Sequence, residues 1–126
     1  MIKAVLRDLH SPDASDLKSY VPDEPTCFSI LLQVFVGSDD SPGQDSFDVV
    51  VCTPTWLAKK VLPGEGGILV GRHYLIVEDY DFERIEHFLM QYVNRCTGET
   101  WQEVAEKVGR LGKWEFEDYH KPHFND

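Results

Sequence analysis

The chain is 126 residues long, 42% hydrophobic and 12% aromatic, the size of a single domain and too apolar for intrinsic disorder. Its 12 lysines and arginines face 22 aspartates and glutamates, a formal net charge of -10. That balance excludes nucleic acid and anionic membrane as direct partners, because both need a basic footprint.

Cys27, Cys52 and Cys96 are widely spaced and odd in number, which fits free thiols in a reducing compartment better than a disulfide framework. Lys3, Arg7 and Asp8 interrupt the start of the chain, so no signal-peptide stretch is expected there and no transmembrane run elsewhere. The expected location is the cytoplasm.

The first element is a strand at about residues 2–9, followed by a long loop from His10 to Pro25 that carries Pro12, Pro22 and Pro25. Cys27 to Val36 is the strongest strand pattern in the sequence. Phe28, Ile30, Leu32, Val34 and Val36 share one face while Leu31 and Phe35 lie on the other, so both faces are expected to be covered. Gly37 to Gly43 reads as a hairpin turn, returning through a strand from Ser46 to Cys52. Thr53 then stands as an N-cap before Pro54, starting a short helix that Pro63 and Gly64 stop. Gly66 and Gly67 lead into a strand over Ile68 to Val77.

Two helices follow. Phe82, Ile85, Phe88, Leu89, Val93 and Cys96 recur at helical spacing behind a cap at Asp81, and Gly98 ends the run. Thr100 and Glu103 have capping-box spacing before a second stripe of Trp101, Val104, Ala105, Val108 and Leu111, closed by Gly112. Lys113 to Tyr119 alternates like a last strand, with Trp114 and Phe116 facing one way and Glu115 and Glu117 the other. The order β-β-β-α-β-α-α-β gives an α+β fold. It implies one domain over 1–126 with an antiparallel or mixed sheet of about five strands, two longer helices and one short one. Residues 119–126 read as a tail. Buried positions are expected at Phe28, Ile30, Leu32, Val34, Val49, Val51, Ile85, Leu89, Trp101, Val104 and Val108.

Signatures of chemistry are sparse. No nucleophile elbow, phosphate loop or dinucleotide fingerprint occurs, and Gly64 to Gly67 shares only glycine content with such loops. His120 and His123 form the only paired-histidine motif, with Asp118 nearby, but a terminal tail must be ordered before it can hold a metal. Cys52 and Cys96 sit in apolar patterns that suit packing. No catalytic residue, cofactor or metal site is therefore assigned.

Acidic residues are the conspicuous feature. From Asp8 to Asp48 there are nine, against the single basic residue Lys18. Further groups are Glu78, Asp79, Asp81, Glu83 and Glu86, and then Glu115, Glu117 and Asp118. A solvated acidic surface keeps a small protein in solution. An acidic face can also recognise a basic protein through charge complementarity. On that charge argument alone, Asp39, Asp40, Asp45, Glu115 and Glu117 are the candidate binding residues.

Five stretches carry a resemblance. They are Leu9-His10-Ser11-Pro12; Phe47-Asp48-Val49 running into Val51-Cys52-Thr53-Pro54 and Trp56-Leu57; Gly71-Arg72-His73; Thr100-Trp101 through Ala105; and Trp114-Glu115-Phe116-Glu117-Asp118-Tyr119. In this order and over nearly the whole length, the chain resembles the immunity protein 8 family of bacterial polymorphic toxin systems. The resemblance implies a small cytoplasmic antitoxin that binds and neutralises the toxin domain encoded beside it. It transfers no catalytic residue and no interface position. A basic nuclease is the toxin class that an acidic partner would suit. Two other functions compete with this one: a small carboxylate-dependent hydrolase, and a structural or adaptor subunit.

Overall fold

The computed structural model describes residues 1–118. Six strands form one mixed sheet: β1 Ile2–His10, β2 Ser29–Ser38, β3 Asp45–Cys52, β4 Tyr74–Ile76, β5 Thr97–Gly98 and β6 Lys113–Trp114. The order across it is β4-β3-β2-β1-β5, and β6 lies off this path, paired to β3. Only β3 and β4 run parallel. Helix α1 is the short Pro54–Trp56, continued by a π turn (Leu57–Val61) and a 3₁₀ turn (Leu62–Glu65); α2 spans Phe82–Asn94 and α3 Trp101–Val108. The α+β class and the mixed sheet agree with the sequence reading.

The core follows from alternation on the strands and helical spacing on α2 and α3. Ile30, Leu32, Val34, Val36, Phe47, Val49 and Val51 point to one face of the sheet. There they meet Ile85, Leu89 and Val93 of α2, and Val104 and Val108 of α3, in one cluster. Every expected core residue is buried except Trp101, which is half-buried. The other face of β2 departs from expectation. Leu31, Gln33 and Phe35 are only half-buried, because both long helices pack on the opposite side. Across it runs the row His10–Gln33–Asp48–Lys113, with His10 Nδ1 donating to Gln33 Oε1 at 2.8 Å.

Four elements need correction. The strand expected over 68–77 forms only at Tyr74–Ile76. Gly66, Gly67 and His73 all have positive φ, so the backbone cannot extend until it has passed His73. The helix behind Thr53 also runs past Pro63 and Gly64 to Glu65, and Gly66 in the left-handed conformation caps it. The last strand stops at Trp114, where the Glu117 N–H turns back onto Trp114 O at 2.9 Å and Asp118 follows with φ 60°. Gly98 is not a helix stop. α2 ends at Asn94, and Gly98 pairs with Ile2 as part of β5. A Cβ there would lie 2.8 Å from Glu103 Cβ, so only glycine lets α3 approach this strand.

The loop between β1 and β2 packs rather than drifts. Ala14, Leu17 and Pro22 are buried, the Leu31 N–H donates to Asp13 Oδ2 at 2.8 Å, and the Tyr80 hydroxyl donates to Leu17 O at 2.5 Å. The Tyr20 and Tyr80 rings meet edge to face at 5.0 Å.

Candidate functional site

The five candidate carboxylates lie around the β2–β3 hairpin and the segment after β6. The hairpin depends on Gly37, where a Cβ would come within 2.4 Å of Gly43 O and 2.6 Å of Arg7 Nε. Arg7 fills that space from β1, its Nη2 donating to Ser38 O at 2.6 Å and Ser41 O at 3.1 Å. Asp39 and Asp40 sit exposed at the turn. Asp39 Oδ1 accepts the Lys3 N–H at 3.1 Å, and the Asp40 carboxylate takes a hydrogen bond from the Ser38 hydroxyl.

Asp45 is placed differently. Its Oδ2 accepts from two indoles, Trp101 Nε1 at 2.7 Å and Trp114 Nε1 at 3.1 Å, so one carboxylate ties α3 and β6 to the start of β3. This explains why Trp101 is not fully buried: its ring must reach a polar partner. Trp114 also stacks on the buried Phe47, centroids 6.4 Å apart and planes 13° from parallel.

Glu115 and Glu117 do not project together from a strand. Glu115 exchanges hydrogen bonds with Ser46, its Oε1 accepting the Ser46 N–H at 2.9 Å and its own N–H donating to Ser46 O at 3.1 Å. Pairing of β6 with β3 therefore brings Glu115 beside Asp45. Glu117 turns away to Arg72, whose Nη1 and Nη2 donate to its two oxygens at 3.0 and 2.6 Å. His73 Nε2 stands 3.9 Å from the same carboxylate and donates to Gly109 O at 2.9 Å. Arg72 and His73 thus hold the segment after β6 against the end of α3. Phe116, expected to face inward, is 43% exposed.

Two of the three thiols are poorly suited to nucleophilic chemistry. Burial pushes the Cys52 thiol up to about 11, and it raises Cys96 against the opposing pull of Lys107, Arg110 and Arg95; both thiols stay protonated and unreactive at neutral pH. Among the described residues no group of three or more His, Cys, Asp or Glu side chains could hold a metal ion. His120 and His123 lie outside the described residues. Among the described residues no helix is long and apolar enough to cross a membrane.

The immunity protein 8 family matches this sequence over residues 4–119. The chain belongs to that family. Membership assigns it to the immunity proteins of polymorphic toxin systems, implies a cognate toxin as its partner, and places it among proteins that are generally non-catalytic. The matched span takes in every element from β2 to β6, all of β1 but Ile2 and Lys3, and all five candidate carboxylates. No curated protein and no solved structure matches the chain significantly.

Sequence reasoning missed four exposed apolar side chains. Ile68 and Val70 are both 82% exposed, and Ile76 and Phe88 are about half exposed. Phe88 fits the helical stripe of α2 as well as Leu89 does. The usable signal was the width of that stripe: Ile85, Leu89 and Val93 already complete the buried face, so Phe88 lies beyond it.

Proposed function

We propose that this immunity protein neutralises its toxin by stoichiometric binding, steered by its acidic surface, and that the toxin domain is basic. Family membership carries the first part of this reading. A net charge of -10 on 126 residues carries the second. The field of such a charge extends about 8 Å into physiological salt, enough to draw in a basic partner faster than random encounter would.

Of the five candidates, Asp39 and Asp40 are exposed at the hairpin turn. They serve as steering charges. Asp45, Glu115 and Glu117 contribute to the same field while holding the end of the sheet in place. A basic nuclease fits this partner, because a surface that accepts a phosphate backbone is also one that an acidic protein can block.

Stopped-flow association with the cognate toxin domain across a salt series tests the steering. The on-rate should fall steeply as salt rises, and Asp39→Asn with Asp40→Asn should lower it with little change in the off-rate. A salt-independent on-rate would reduce the acidic surface to an aid to solubility.

A further inference from the structure

The end of the sheet at β4 is open. The Val50 N–H donates to His73 O at 3.0 Å and the Val77 N–H to Cys52 O at 2.8 Å. With Tyr74, Leu75 and Ile76 in parallel register with Val50, Val51 and Cys52, the polar groups of His73, Leu75 and Val77 turn toward β3. Those of Tyr74 and Ile76 turn the other way, since neighbouring residues of a strand point their N–H and C=O to opposite edges. β4 is the last strand on its side of the sheet, so these groups meet no further strand among the described residues.

Proteins usually protect such an edge with lysine, proline, a bulge or a covering element. Here the strand is only three residues long, itself a partial protection. Its Tyr-Leu-Ile carries no lysine or proline, and among the described residues no bulge or further strand covers it. The strand flanks a groove of about 520 Å³ whose lining also includes Ile85, Phe88 and Gln91 of α2. Phe88 is 43% exposed and Ile76 54%. The lining also includes Glu78, Asp79 and Asp81, and Arg84, which pairs with Asp79 at 3.6 Å. An edge strand beside a helix, with an apolar floor, is the setting in which an extended peptide adds to a sheet.

We infer that this edge receives an extended segment of the cognate toxin domain as an added strand. Its backbone bonds to Tyr74 and Ile76, an apolar side chain lies between Ile76 and Phe88, and a lysine or arginine meets Glu78 and Asp79. The inference rests on the toxin-binding reading and adds the binding mode. Charge selects the occupant: a second copy of this chain would bring another net charge of -10 and the same acidic rim to the contact, whereas a basic segment is attracted.

The test is amide hydrogen exchange of the full chain, free and with its purified toxin domain. In the free monomer the Tyr74 and Ile76 amides should exchange freely, and in the complex they should slow by at least about tenfold. Phe88→Ser, on an exposed helix flank, should weaken toxin binding on the order of tenfold while the thermal unfolding curve of the free chain stays in place. Ile76→Pro, which removes an outward donor that β3 does not use, should do the same. A complex that forms with both amides still exchanging freely overturns the inference and leaves the toxin-binding reading standing. Protection already present in the free monomer, or appearing with self-association, also overturns it, because the edge then has another occupant. No complex at all overturns the toxin-binding reading and the inference with it.

Discussion

Two regions of the molecule make opposite use of polar groups. Around the start of β3, Asp45, Glu115 and Glu117 are each engaged within the chain, by two indoles, a backbone amide and an arginine. At the β4 edge the outward backbone groups of Tyr74 and Ile76 meet no strand among the described residues, and Phe88 and Ile76 stand half in water. Both regions carry charge, but the first is closed on itself and the second is open. A carboxylate in a sequence therefore says little about whether it is available. Availability depends on whether the fold brings a donor to it, and here the pairing of β6 with β3 does so.

Substitutions can break this contrast in order of size. Leu89→Ala removes a fully buried side chain beneath both regions and should cost about 2–5 kcal/mol by chemical denaturation. An unchanged midpoint would mean that α2 presents a different face. Asp45→Ala should come next, at about 3 kcal/mol, since two indole N–H groups lose a charged acceptor in a half-buried site. If the loss stays below that of an ordinary surface substitution, the clamp is not structural. Glu117→Gln should cost less than about 1 kcal/mol, because the Arg72 side chain is 60% exposed and its attraction is screened. At the open edge, Ile76→Thr should leave stability within about 0.5 kcal/mol, and a larger loss would show that the edge is covered in solution.

Alkaline unfolding probes the connection between the regions. Burial pushes the Tyr80 hydroxyl up to about 12 from an ordinary 10.0, with Tyr20 and Asp16 adding to it, and Cys52 up to about 11 from 9.0. The folded state thus holds both protons more tightly than the unfolded chain does. Their contribution is intact below pH 9 and is lost as the pH rises from 9 to 11 for Cys52 and from 10 to 12 for Tyr80. Melting temperature should fall across that range. Cys52→Ala should remove the earlier part of the fall, and an unchanged profile would show that the thiol does not contribute.

The legible parts of the fold were those fixed by local chemistry. Alternation named the inward faces of β2 and β3, and Asp81 and Thr100 marked the starts of α2 and α3, where their side chains accept the Arg84 and Glu103 N–H groups at 3.2 Å. The misread parts depend on backbone conformation or on contacts distant in sequence. Ile68 to Val70 has a strand's composition, but positive φ at Gly66, Gly67 and His73 delays the strand until it can run beside β3. Thr97 and Gly98 have no strand signature and pair only because β1 passes by. The same holds for the site: its charges were visible in the sequence, whereas the indoles on Asp45 and the arginine on Glu117 arrive from 45 to 69 residues away.

Titration of the cognate toxin's activity with this chain tests the central claim most directly. Stoichiometric binding predicts that activity falls in proportion to added protein and reaches its floor at one equivalent, with toxin recovered intact from the complex. Loss of toxin activity at a small fraction of an equivalent, or no loss at any ratio, would contradict it.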